Sequence, residues 1–323
     1  MSDEFLVLPR PGEPSTQESI LAPSEPCFVK TFGQVLPPAS YLRTANGRFA
    51  FYKLSPSSPN PGQAGAPSRV LLIHGVQTPA IGLQPLAKEL SSRFPSTEFV
   101  LVDLWGHGQS DTPIAAHVPA LFHALILDLL GHLNWPNAHF IGYSFGGSTA
   151  ASFAAQYPEK VQSLTLVAPA GFFREEQFSE LERSYLRGGE GMEEAAAKWI
   201  LEFLEGGELV VPADWKKRVE RGEVVAEAVR DWEMKNHDGH LASVVGVFRD
   251  GGVIGKHEEF KKVAKSGIRS LVVLGETDDV CGPKDLEEVG LKNVVVVKGV
   301  GHGVVRQRVD EVAGSIEEFW KAL

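Results

Sequence analysis

The sequence predicts an α/β fold: a mostly parallel sheet flanked by helices, interrupted late by a helical insertion. Three observations carry that reading. Several short runs are apolar throughout, the mark of strands covered on both faces. Helical stretches alternate with these runs, as right-handed βαβ units require. Between about residues 171 and 265 the alternation stops and only helical periodicity remains.

The elements follow in chain order. Eleven of the 21 prolines fall in the first 68 residues, and "LPRPGEPSTQES" and "SPSSPNPGQAGAPS" read as coil or surface loop. Residues 1–33 are therefore expected to be an irregular extension. "SYLRTANGRFAFYKL" carries Asn46-Gly47, the pair preferred in a tight turn because both positions need positive φ, so a β-hairpin is expected there. The strand-like runs are "RVLLIHG", "TEFVLVDLWG", "AHFIGYS", "VQSLTLVAPAG", "RSLVVLGETD" and "KNVVVVKGVGH". The helical stretches are "IGLQPLAKELSSRF", "VPALFHALILDLLGHLN" and "GGSTAASFAAQY". In the last helix, Val309, Val312, Ile316 and Trp320 form one apolar stripe for the sheet. The insertion shows Met192, Trp199, Ile200, Phe203 and Leu204, then Val225, Ala228, Val229 and Trp232, at helical spacing. The expected division is a core over 1–170, a helical lid over 171–265, and the rest of the core over 266–323. No internal repeat is visible.

Composition narrows the function classes. The chain has 323 residues, with 31 basic and 41 acidic side chains and a net charge of −10. A nucleic-acid or anionic-membrane surface needs a basic field, so neither partner is expected. Two distant cysteines, Cys27 and Cys281, suggest no disulfide framework, and no Cys/His spacing suggests zinc. No phosphate-cradling glycine motif follows a first strand, so no nucleotide cofactor is implied. There is no signal-peptide pattern and no membrane-length apolar run, which leaves the cytoplasm as the expected location. Oligomeric state is open.

In an open parallel sheet, ligands bind beyond the carboxyl ends of the strands. His74-Gly75, Asp103, Ser144, Asp278 with Asp279, and His302 stand there. A serine, an acid and a histidine at successive strand ends form a nucleophile, orienter and base set. Ser144 lies in Gly142-Tyr143-Ser144-Phe145-Gly146, a G-x-S-x-G elbow between strand and helix. Its glycines are expected where side chains would strike neighbouring backbone, and the following helix offers its N–H groups to a developing anion. The blander reading is a helix-capping serine beside a tight turn. His302 follows Gly301 and precedes the last helix, a better place for a base than any other histidine; its blander reading is a surface loop.

Over roughly residues 40–323 the chain resembles the α/β-hydrolase fold family. The resemblance rests on His74-Gly75 after a strand, "DLWGHGQSD", "GYSFGG", "GETDDVCGP" and "GVGH", in the family order. It implies an eight-stranded, mostly parallel sheet with a lid at the insertion. Among Glu276, Asp278 and Asp279 the family spacing selects Asp278, three residues after Gly275, as the acid. It implies an oxyanion hole made by the N–H groups of Val76 and Phe145. Asp103 is left to structure. Relatives with aspartate at the elbow process halides and epoxides, and Ser144 excludes those activities.

The leading expectation is a serine hydrolase that cleaves an ester or lactone through an acyl-enzyme, without cofactor or metal. The alternatives are hydrolysis of a carbon–carbon bond in a β-diketone-like substrate and, from a different class, a non-catalytic binding protein on the same fold. Acyl transfer and cofactor-independent peroxidase chemistry remain open. His74, Gln77, Tyr143, Trp199 and Phe203 are the candidate pocket residues. The apolar insertion suggests a small apolar substrate, although its aromatics serve lid packing equally well.

Overall fold

The computed structural model describes residues 5–16, 18–58 and 66–323. Part of the proline-rich stretch expected to form a loop, residues 59–65, lies outside them. Eight strands form one sheet: β1 (Ser40–Thr44), β2 (Gly47–Leu54), β3 (Arg69–Ile73), β4 (Glu98–Val102), β5 (Ala138–Tyr143), β6 (Val161–Val167), β7 (Ser270–Gly275) and β8 (Val294–Val297). Their order is β8-β7-β6-β5-β3-β4-β2-β1. All neighbouring pairs are parallel except those made by β2, which runs against both β1 and β4. A two-residue turn, Ala45-Asn46, joins β1 to β2 with Thr44 opposite Gly47; the hairpin turns one residue earlier than the Asn46-Gly47 pair suggests, and of that pair only Gly47 takes a positive φ (125°). Val70, Leu71, Leu72 and Ile73 in β3 are all buried, which explains an apolar run without alternation.

The helices fall into two layers. On one face, α2 (Gln84–Arg93) packs on α13 (Val309–Lys321), where Leu86, Leu90, Ile316 and Trp320 are buried. The opposite face carries α3 (Pro119–His132), α4 (Phe145–Gln156) and α11 (Pro283–Val289). The short α12 (Val304–Gln307) precedes α13.

Between β6 and β7 the chain is helical: α5 (Glu180–Arg187), α6 (Glu193–Glu205), α7 (Trp215–Glu220), α8 (Ala226–Asn236), α9 (His240–Gly246) and α10 (His257–Lys265). Only part of this stretch leaves the core. Main-chain hydrogen bonds close a neck, with Gly171 N–H donating to Val253 (3.1 Å) and Gly255 N–H donating to Phe173 (2.8 Å). After the neck, α10 returns to the core and buries Phe260 and Val263 beside α4 and α11. A boundary at 265 thus assigns a core helix to the insertion; helical periodicity alone does not say which surface a helix covers.

The N-terminal extension needs correction too. Residues 1–33, expected to be irregular, include helix α1 (Glu25–Phe32) and a two-residue strand, Ser19–Ile20, paired with Thr112–Pro113. Phe28 and Phe32 lie one turn apart on α1 and pack against Trp232 of α8, with ring centroids 5.0 and 6.1 Å away. Farther upstream, Arg10 pairs with Asp250 (2.7 Å) and donates to the Arg187 carbonyl (2.7 Å). The extension therefore straps the helical excursion to the core.

Candidate active site

Ser144 stands between β5 and α4 with φ of 54° and ψ of −121°, a strained conformation for a residue with a side chain. Its surroundings hold it there. Ser144 N–H donates to the Val167 carbonyl (3.0 Å), and its own carbonyl accepts from Gly147 (2.9 Å) and Ala170 (2.9 Å). A Cβ on Gly142 would collide with the Gly146 carbonyl, and a Cβ on Gly146 with the Ile73 carbonyl. The two flanking glycines are thus fixed by backbone approach.

His302 and Asp278 arrive from the ends of β8 and β7. Their loops touch backbone to backbone: Thr277 N–H donates to Val300 (3.0 Å), and a Cβ on Gly275 would strike the Gly301 carbonyl. His302 Nε2 lies 2.9 Å from Ser144 Oγ, and its Nδ1 lies 3.1 and 3.3 Å from the two Asp278 oxygens. The Asp278 side chain is fully buried, and its Oδ1 also accepts from Val280 N–H (2.9 Å). Asp279 is exposed, and Glu276 faces away, accepting from Gly299 N–H (2.9 Å). Burial opposes the His302 imidazolium, but the Tyr143 hydroxyl and the Asp278 carboxylate facing it hold its pKa above the ordinary value. Tyr143 lies beneath the imidazole and donates to the His302 carbonyl (3.1 Å).

A cavity of about 490 Å³ opens over this cluster. Val76 and Phe145 line it with Ser144 and His302. Phe145 opens α4, so its N–H is one of the donors a helix leaves unpaired, and Val76 N–H has no main-chain acceptor among the described residues. Tyr143 and Phe203 line the cavity as expected. His74, Gln77 and Trp199 do not. His74 is buried: its Nδ1–H donates to the Gly75 carbonyl (2.6 Å), and its Nε2 accepts from Leu104 N–H (2.9 Å). That arrangement braces the loop after β3, and burial holds the ring near pKa 4. Gln77 has a positive φ of 65°, and its side chain borders a separate groove between α6 and α8. Trp199 packs among Phe178, Tyr185, Phe203 and Phe248, and its indole N–H donates to Glu182 (3.2 Å).

The sequence reading missed the charged lining. Glu205, Glu227, Arg230 and Arg306 all face the cavity. Arg306 sits four residues beyond His302, a lone basic residue with no sequence pattern around it. Asp103 stays outside the cluster. It is buried, accepts from Ala80 N–H (2.8 Å), Gln109 N–H (3.0 Å) and the Tyr52 hydroxyl (2.7 Å), and burial raises its pKa to about 6. Among the described residues, no group of three or more His, Cys, Asp or Glu side chains is arranged to hold a metal ion. No described helix is long and apolar enough to cross a membrane.

The two aromatics of the excursion separate in a testable way. Trp199→Ala should lower stability by about 2–3 kcal/mol, through loss of a half-buried ring, without altering preference among acyl esters of graded length. Phe203→Ala should shift that preference. Thermal unfolding and an ester panel measure both; a changed chain-length profile in the Trp199 variant would contradict the assignment.

The profile of the alpha/beta hydrolase fold family matches residues 68–305. Lipase 3 of a Moraxella species is 25% identical over 258 residues, covering 77% of this chain and 76% of the lipase. An uncharacterized protein of Mycobacterium tuberculosis is 33% identical over 137 residues, 42% of this chain; the match spans only 37% of that protein's length. Among solved structures, the enol-lactonase of Burkholderia xenovorans superposes with a TM-score of 0.62 at 19% identity, covering 87% of this chain and 99% of the enzyme.

Proposed function

The chain belongs to the alpha/beta hydrolase fold family, and within it we propose a serine hydrolase that cleaves a carboxylic ester or lactone through an acyl-enzyme. The observation that carries this reading is the continuous hydrogen-bonded line from Asp278 through His302 to Ser144. In the first step His302 Nε2 takes the Ser144 proton while Oγ attacks the substrate carbonyl carbon. Asp278 accepts the Nδ1–H bond, selects the tautomer and stabilises the imidazolium. The carbonyl oxygen becomes an oxyanion, for which the Val76 and Phe145 N–H groups are the available donors. His302 then returns the proton to the leaving alkoxide, and water repeats the sequence on the acyl-enzyme. The helical excursion acts as a lid that shapes the cavity and limits water. The cytoplasm remains the proposed location.

A fluorophosphonate should label Ser144 alone in the folded protein, as read by peptide mass spectrometry, and Ser144→Ala should abolish labelling. Modification at another residue, or none, would overturn the proposal.

A further inference from the structure

We propose that Arg306 is a specificity residue and that the substrate carries a carboxylate in addition to the ester or lactone bond; this deepens the hydrolase reading and rests on it. Two guanidinium groups line the Ser144 cavity, and their environments differ. Arg230 is answered by protein: it meets Glu205 at 2.5 Å and donates to Thr78 Oγ1 at 3.3 Å. Arg306 makes no ion pair among the described residues. Its charge lies 5.4 Å from the centre of the Tyr143 ring. Two more carboxylates line the cavity, Glu227 and Asp279, and neither pairs with Arg306.

A guanidinium that lines the cavity without a carboxylate partner leaves its charge available to a bound anion. Contact with Tyr143 fixes the side chain beside the residue that precedes the nucleophile, so a bound anion would lie close to the reacting carbonyl. Burial alone would raise the Tyr143 pKa, yet His302, Arg306 and Arg230 bring it below the ordinary tyrosine value. A guanidinium recognises a carboxylate through paired N–H donors, and such charge-assisted bonds are strong where water is scarce.

The test compares the p-nitrophenyl monoesters of glutarate and pentanoate, equal in chain length and different in one charge. The intact protein should favour the glutarate ester by about tenfold or more in kcat/KM, mainly through KM. Arg306→Gln should bring the ratio towards one, and Arg306→Lys should retain part of it. A ratio near one in the intact protein, or equal losses on both esters in Arg306→Gln, would overturn the inference. A second measurement needs no turnover: Ser144→Ala should bind glutarate by calorimetry, and adding Arg306→Gln should abolish binding. Glutarate binding that depends on Arg306 without hydrolysis of either ester would retain the anion site and reject the hydrolase. Hydrolysis indifferent to the charge would do the reverse.

Discussion

Asp278→Asn should lower kcat about 10³-fold or more, whereas Asp279→Asn should change it less than about threefold. The two side chains are adjacent in sequence and opposite in environment. Asp278 is fully buried and faces His302 Nδ1; Asp279 is exposed at the cavity rim. The amide in Asp278→Asn can present its NH2 to the imidazole, which favours the wrong tautomer and leaves Nε2 without a free lone pair for Ser144. The pH profile adds a second readout. A base must be neutral to take a proton, so activity should rise with pH through the pKa of His302, which lies above the ordinary histidine value. Removing the Asp278 charge should move that limb to lower pH. Steady-state kinetics across pH measure both effects, and similar losses in the two variants would show that the acid has been misassigned.

The protein should also lose stability steeply on acidification below about pH 6.5. Burial holds the pKa of His74 and of His117 near 4, and that of His240 near 3. Each is depressed in the fold, so the unfolded chain binds more protons through this window. The stability these histidines contribute is complete above about pH 6.5 and is lost as pH falls through the folded values. For His74 or His117 the loss approaches about 3 kcal/mol apiece. Glu233 works in the opposite sense. It is fully buried, accepts from Gly108 N–H (3.0 Å) and lies 3.5 Å from His240, and burial raises its pKa well above the ordinary carboxylate value. Its contribution is complete below about pH 4.3 and declines as pH rises through the folded value. Glu233→Gln should therefore raise the unfolding temperature at neutral pH, by an amount that shrinks towards pH 4. Circular dichroism melts at several pH values test this; a pH-independent difference would contradict it.

Much of the fold was legible because burial on both faces leaves a local mark. Runs such as "RVLLI" have no solvent face to alternate with, and the glycines of the elbow are set by backbone collisions that follow from a sharp turn. The meeting of Ser144, Asp278 and His302 was readable because each ends a strand on the same edge of the sheet. Pocket assignments were less so, since nearness to a motif does not reveal which way a side chain turns. His74 belongs to the His-Gly segment and Gln77 follows it, yet the ring is spent on loop hydrogen bonds and the glutamine, at a positive φ, borders a different groove. Trp199 shares a helix with Phe203 and serves packing instead. Helix α1 was missed because prolines dominated the reading, although Phe28 and Phe32 at helical spacing after Ser24 and Pro26 marked it. Arg306 escaped notice because a lone basic residue after a motif carries no pattern until its unanswered charge is seen.

The closed neck at Gly171–Phe173 and Val253–Lys256 gives the molecule a modular character. The excursion begins and ends at two hydrogen-bonded points, so its length can change without altering the separation of its ends, and loop-closure entropy grows only slowly with length. Helices above the neck can diverge, be shortened or be exchanged between relatives while the strand ends that hold Ser144, Asp278 and His302 stay in register. The N-terminal strap limits that freedom. Arg10 grips Asp250, and Phe28 and Phe32 clasp Trp232, so a transplanted excursion would have to bring its own first thirty or so residues along. In this chain the excursion and its strap form one packing unit, built from two segments far apart in sequence.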